Sequence, residues 1–136
     1  MNPVQFLKLY GATGAVLFAC DLVWLGVVAK DFYRRYLPTL LRTDVRWGPG
    51  LLFYLLYVAA LIVFVLQPAL ERQSLGRAMV LGAFFGLTAY ATYDLTSLAL
   101  IRDFPTLVAV VDIAWGTVLT AVVSAAGYMV GRLAIT

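Results

Sequence analysis

Four long apolar stretches, separated by short polar connections, dominate the pattern of hydrophobic and polar positions along the chain. They run over about residues 4–29, 51–66, 78–101 and 106–130. Each is near the length of about 20 residues that a helix needs to cross a bilayer. The pattern predicts an all-α membrane protein, built as a bundle of four transmembrane helices in a single domain, residues 1–136.

The first connection, from Asp31 to Gly48, is longer than the other two and rich in aromatic and arginine residues. Its aromatic and leucine side chains fall near helical spacing, with arginines between them, up to a break at Pro38. The pattern fits a short amphipathic segment in the membrane interface, and equally an irregular loop anchored by interfacial side chains. Residues 48–50 predict the start of the second span, and Gln67 and Pro68 its end.

Composition narrows the class of protein further. The chain is 63% hydrophobic and 12% charged, which leaves too little polar surface for an ordinary soluble domain. The net charge of +3 is weak, and without a basic stripe it gives no indication of nucleic-acid binding. A single cysteine, Cys20, and the absence of histidine exclude an intrachain disulfide, a cysteine-based metal site and imidazole ligation of haem. No metal site is predicted, although the sequence leaves open whether a metal ion occupies an acidic cluster, and any cofactor is left unidentified.

Three aspartates lie inside the apolar stretches: Asp21, Asp94 and Asp112. A carboxylate in a membrane span costs about 2.5–3.5 kcal/mol on insertion scales, so one that persists usually faces the bundle interior. Counted from the span ends on one side of an antiparallel bundle, all three lie about 9–12 Å below that surface. We therefore expect them to converge on one intramembrane site.

Helical spacing places further candidates around this site. Tyr90 and Ser97 fall on the same face as Asp94, which makes Asp94 the candidate for a catalytic, chemically active group. The sequence shows no basic residue at this depth. The predicted ligand-binding residues form an acidic floor with aromatic and polar walls: Asp21, Asp112, Tyr90, Tyr93, Trp24, Trp115 and Ser97.

The same residues also have a purely structural interpretation. Small residues recur at helical spacing on the third and fourth spans, including GxxxG pairs at residues 82–86 and 127–131, and such stripes usually serve helix packing. Each aspartate would then be protonated or hydrogen-bonded and would only fix the arrangement of the helices.

Several segments resemble a family of small bacterial four-span membrane proteins known only as a domain of unknown function. The likeness covers residues 53–59, 64–70, 82–99 and 111–116, and its most specific part is Thr92-Tyr-Asp-Leu-Thr96. The chain departs from the family pattern at Ser97, where asparagine is often found. The resemblance implies four helices and a location in the bacterial inner membrane, but it implies no activity.

Three functions remain open at this point. The first is binding or modification of a lipid-like or amphipathic small molecule in the acidic and aromatic pocket. The second is an accessory or structural subunit of a membrane complex, or a homo-oligomer, assembled through the GxxxG faces. The third is a small proton- or cation-coupled transporter, in which the aspartates titrate or bind ions. The sequence leaves open whether the protein is an enzyme.

The distribution of basic residues predicts an orientation. Six flank one face of the bundle and four flank the other, and the richer face includes Lys30, Arg34 and Arg102. The positive-inside tendency places that face in the cytoplasm and both termini outside.

Overall fold

The computed structural model describes residues 2–37 and 46–135, in which helix is the only regular secondary structure. Its elements are α1 (Pro3–Val28), α2 (Phe32–Tyr36), α3 (Trp47–Glu71), α4 (Leu75–Leu100) and α5 (Thr106–Ile135). The four long helices are all apolar enough to cross a membrane. The predicted fold class, a four-helix membrane bundle, is therefore confirmed.

The second membrane helix extends past both of its expected boundaries. It begins at Trp47 rather than at Leu51 and continues through Pro68 to Glu71. Pro49 lies in the first turn, where its missing N–H has no intrahelical acceptor to lose. A π-helical turn, Ile62–Leu66, comes directly before Gln67 and Pro68. Such a turn changes the backbone hydrogen-bond register, and this lets the helix pass a proline.

The first connection contains a short helix, as one of the two interpretations of its pattern predicted. This helix, α2, has only five residues, and the neighbouring Leu37 packs against Phe104 and Val108 of the last hairpin. The remaining positions of the predicted interfacial segment, residues 38–45, lie outside the described residues.

Helix ends follow the local sequence. Asn2 and Gln5 form a reciprocal capping box at the start of α1, and the Ser74 hydroxyl accepts a hydrogen bond from the Arg77 N–H at the start of α4. The turns that join α3 to α4 and α4 to α5 each contain one residue with positive φ, Gln73 (48°) and Asp103 (62°). These tight turns make α3, α4 and α5 consecutive antiparallel neighbours.

The closest helix pair is α4 with α5, and small residues make this contact possible. A Cβ atom added at Gly82 would collide with Ser124, and one added at Gly86 would collide with the Gly116 carbonyl and Thr120. In a membrane, where lipid tails are as apolar as the side chains, such close van der Waals contact is a main source of helix association. The glycines of this stripe therefore serve helix packing, as the structural interpretation of the sequence predicted.

The second glycine pair is also used within the chain. A Cβ atom at Gly127 would lie 2.9 Å from the Leu66 and Thr13 side chains, and one at Gly131 would lie 2.9 Å from Leu70. The central core is formed by α1, α3 and α5 together with the start of α4; its most buried members are Leu61, Ile62, Leu66, Ala69, Ala78 and Val123.

Candidate functional site

A cavity of about 500 Å³ lies at the end of the bundle where α1 gives way to α2. Its walls come from α1, α2, α4 and α5, so four separate segments of the chain are needed to build it. The lining residues are Asp21, Trp24, Leu25, Ala29, Lys30, Tyr33, Arg34, Tyr90, Asp112 and Trp115. Five of the eight predicted site residues are among them.

Two tryptophans form one wall of the cavity. The Trp24 and Trp115 rings are stacked, with centroids 4.4 Å apart and an interplanar angle of 7°. Trp24 begins a π-helical turn at the end of α1, Trp24–Val28, in which the Ala29 N–H reaches back to the Trp24 carbonyl at 2.6 Å. Such turns are frequent at functional sites because they redirect side chains locally. Here the turn carries Trp24, which pairs with the tryptophan of α5.

Asp21 is half-buried and has two hydrogen-bond donors. Tyr54 of α3 donates its hydroxyl to Oδ2, and Trp115 Nε1 donates to Oδ1 at 3.3 Å. The carboxylate is therefore oriented by two aromatic side chains from two other helices. Both donors are neutral, so they fix the position of the charge without cancelling it.

Asp112 is held by a residue from outside the membrane spans. The Tyr33 hydroxyl of α2 donates to Asp112 Oδ1 at 2.8 Å and accepts a hydrogen bond from Trp24 Nε1 at 3.1 Å. Burial raises the pKa of Tyr33 above its usual value, and the hydrogen bond to Asp112 raises it further. Tyr33 therefore remains a neutral donor at physiological pH, and it links α1, α2 and α5.

Asp94 lies behind this wall and does not line the cavity. Its side chain is completely buried (0% exposed) and within hydrogen-bonding reach of the Asp112 carboxyl. Neither of its oxygens has a hydrogen-bond donor in the part of the chain that the structure describes. Two ionised carboxylates in contact repel each other and have no proton to share. One proton held between Asp94 and Asp112 would remove the repulsion and supply the missing hydrogen bond.

Tyr90 completes the inner wall through close contact with a glycine. Its ring packs directly against the backbone of Gly116, where a Cβ atom would collide with it. The Tyr57 hydroxyl of α3 and the Thr120 hydroxyl of α5 lie 2.6 Å apart and form a hydrogen bond in which either can be the donor. The glycine on α5 therefore makes room for an aromatic ring that faces the cavity.

Two of the predicted ligand-binding residues lie away from the cavity. Tyr93 is 59% exposed and its ring packs edge-on against Phe104. Ser97 is buried on α4 but is absent from the cavity wall. Tyr90 faces α5 across Gly116, and Tyr93, three positions on, has rotated past the cavity toward the outer surface. Ser97 shares the helix face of Tyr90 but lies about 10 Å further along the helix axis.

The sequence interpretation missed four residues of this region. Tyr33 and Tyr54 donate to the aspartates, and Lys30 and Arg34 are exposed cations at the edge of the cavity. The sequence predicted no basic residue at the depth of the aspartates; Lys30 and Arg34 reach the same cavity from the segment that follows α1. Lys30 follows α1 closely and Arg34 lies in α2, so their position just after the first membrane span could have identified both.

The described residues contain no group of three histidine, cysteine, aspartate or glutamate side chains that would hold a metal ion. Asp94 and Asp112 form a pair, whereas Asp21 bonds to Tyr54 and Trp115 instead. The cavity thus offers two separate carboxylates, a stacked aromatic wall and an exposed basic edge. This combination suits a ligand that carries charge.

Comparison with known protein families places the chain in its class. Residues 6–129 match the DUF2177 family of predicted membrane proteins, which is a match over most of the chain. The protein therefore belongs to this family of membrane proteins, whose function is unknown. No curated protein and no solved structure matches the chain.

Proposed function

We propose that this membrane protein binds a lipid-like or amphipathic small molecule, with the polar part of the ligand in the cavity beside Asp21 and Asp112. The observation that carries the proposal is the cavity itself, about 500 Å³ in volume and walled by carboxylates and a stacked tryptophan pair. Cavities of this size, in which apolar and aromatic side chains surround a small number of oriented polar groups, are typical of small-molecule sites.

An apolar groove supports the amphipathic character of the ligand. A smaller depression of about 170 Å³ lies between α1 and α3, lined by Tyr10, Gly14, Phe18, Leu51, Tyr54, Leu55 and Val58. Tyr54 belongs to this groove through its ring and to the cavity region through its hydroxyl, which donates to Asp21. A hydrocarbon chain in the groove would thus lie next to the helix that carries the polar site.

In this proposal Asp94 acts through Asp112 rather than by touching the ligand. A proton shared by the two buried carboxyls would set the charge that Asp112 presents to the cavity. Asp112 is then the group for acid–base work, if the ligand is modified, and Asp94 is a positioning residue. Roles as a complex subunit, an oligomer or a coupled transporter stay predictions.

The test is retention of a ligand during purification. The protein is extracted in a non-ionic detergent, and bound small molecules are identified by mass spectrometry of the intact complex and of its organic extract. We expect a retained amphiphile in the wild-type protein and its loss in Asp21→Asn and Asp112→Asn.

Asp103→Asn is the matched control, because it makes the same chemical change at the same end of the bundle. Asp103 is exposed in a turn at positive φ, a conformation that asparagine tolerates well. Equal retention in all three folded variants would contradict the proposal, and so would a wild-type protein that retains nothing.

A further inference from the structure

The charges around the cavity are separated by sign. Asp21 and Asp112 are half-buried in its inner part, whereas Lys30 and Arg34 are exposed at its edge. Among the described residues, the two carboxylates accept hydrogen bonds from Tyr54, Trp115 and Tyr33, not from the two cations. An inner anionic region and an outer cationic edge therefore face the same space.

This arrangement discriminates between classes of amphiphile. A ligand with only a negative headgroup would suit Lys30 and Arg34 but would meet the repulsion of Asp21 and Asp112. A ligand with only a positive headgroup would suit Asp21 and Asp112 but would be repelled by Lys30 and Arg34. A headgroup with both charges, positive end inward and negative end outward, complements all four side chains.

We propose that the cavity recognises the zwitterionic headgroup of an ethanolamine phospholipid, with its ammonium at Asp21 and Asp112 and its phosphate at Lys30 and Arg34. This inference rests on the proposed function and names its ligand class. The membrane is the source of the ligand because the cavity lies at one end of helices that are long and apolar enough to cross it, and cations at such a helix end attract lipid phosphates.

The inner half of the cavity favours a primary ammonium over a methylated one. A primary ammonium has three N–H donors, and Asp112 lies in a carboxyl pair whose other member, Asp94, has no donor among the described residues. An ammonium at Asp112 would offset the excess negative charge of this pair. The exposed faces of the Trp24 and Trp115 stack would add cation–π attraction.

The tryptophan pair supplies a direct measurement of binding. The chain has three tryptophans, and the third, Trp47, is exposed at the start of α3. In a Trp47→Phe background, fluorescence reports only on Trp24 and Trp115 in the cavity wall. Protein in non-ionic detergent is titrated with short-chain ethanolamine phospholipid, the glycerol and choline analogues, and a long-chain alkylammonium.

We expect the ethanolamine lipid to bind at least about tenfold more tightly than the other three, since charged hydrogen bonds are worth roughly that factor. Lys30→Gln combined with Arg34→Gln should weaken ethanolamine and glycerol lipids by at least about tenfold and leave the alkylammonium unweakened. Asp112→Asn should reduce the ethanolamine lipid to the affinity of the glycerol lipid.

The control for the two cations is Arg102→Gln, an exposed charge in the turn at the same end of the bundle and outside the cavity wall. It should leave all affinities unchanged. The Lys30 and Arg34 changes are at exposed positions, so the test remains decisive even where Asp112→Asn fails to fold.

The outcomes separate the two proposals. Saturable binding of any of the amphiphiles without an ethanolamine preference, or a preference that the double variant leaves intact, would overturn this inference and leave the proposed function standing. Absence of any fluorescence response, together with no retained amphiphile by mass spectrometry, would overturn both. Free phosphoethanolamine binding as tightly as the lipid would overturn the membrane source.

Discussion

The two sides of α5 show opposite solutions to helix contact inside a membrane. Against α4, glycine and hydroxyl side chains such as Gly86 and Ser124 let the backbones approach until no space remains. Against α1, Trp115 stacks on Trp24 in the wall of a cavity of about 500 Å³. The polar side chains of this α4–α5 seam, such as Ser124, are completely buried, whereas the cavity is lined by carboxylates that are only half-buried. Along α5, small side chains thus mark the closely packed contact, and a large side chain marks the cavity.

The largest effect on stability is expected at the close contact between α4 and α5. Gly86→Leu places side-chain atoms where the Gly116 carbonyl and Thr120 lie, and backbone cannot move aside cheaply. We expect a loss of at least about 3 kcal/mol, the upper end of typical overpacking costs, seen as a lower melting temperature in detergent.

Gly11→Leu is the control for the seam, since a Cβ atom at Gly11 has no neighbour within 4 Å. It makes the same change of size in a helix of the same bundle. If Gly86→Leu melted no lower than Gly11→Leu, close contact between α4 and α5 would not be what holds the seam together.

A smaller loss is expected at the cavity. Trp115→Ala removes the partner of Trp24 and the N–H donor to Asp21. Because Trp115 is only partly buried, we expect about 2–3 kcal/mol, below the usual cost of a fully buried tryptophan. Thermal melting measures the loss, and Trp47→Ala, at an exposed position, should change it little. Equal effects of the two would mean that the stacked wall contributes nothing to the fold.

A gain of stability is expected behind the cavity. Asp94→Asn supplies an amide N–H₂ that can donate to Asp112, where the buried carboxyl has no donor among the described residues. We expect a stabilisation of about 1 kcal/mol, together with weaker ligand retention because the charge at Asp112 changes. Asp103→Asn should alter neither measurement. A marked loss of stability in Asp94→Asn would show that the fold requires the carboxyl of Asp94 itself.

The last prediction concerns the two ends of the bundle and leaves stability unchanged. The cavity end carries the larger number of basic residues and is predicted to face the cytoplasm. With Cys20 replaced by alanine, Glu71→Cys should react with an impermeant thiol reagent in intact cells and Ile101→Cys should not. Both positions are exposed at opposite ends of the bundle, and the reverse labelling pattern would invert the orientation.

Much of the site was predictable because helical geometry is regular. Counting from the span ends placed Asp21 and Asp112 near one level, and both line one cavity. The phase of α4 was predicted less well. Three residues separate Tyr90 from Tyr93, and a small rotation of the helix decides which of the two faces α5. Packing of the Tyr90 ring on Gly116 decides it.

The sequence by itself determined the class of protein and the number of membrane helices, because these depend on hydrophobicity and on a fixed rise per residue. Only the tertiary structure decided which side chains meet. Tyr33 and Tyr54 reach the carboxylates from segments 79 and 33 residues away along the chain, and Asp94 is withdrawn behind Asp112. Such contacts depend on how four helices rotate and tilt against one another, which no local pattern encodes.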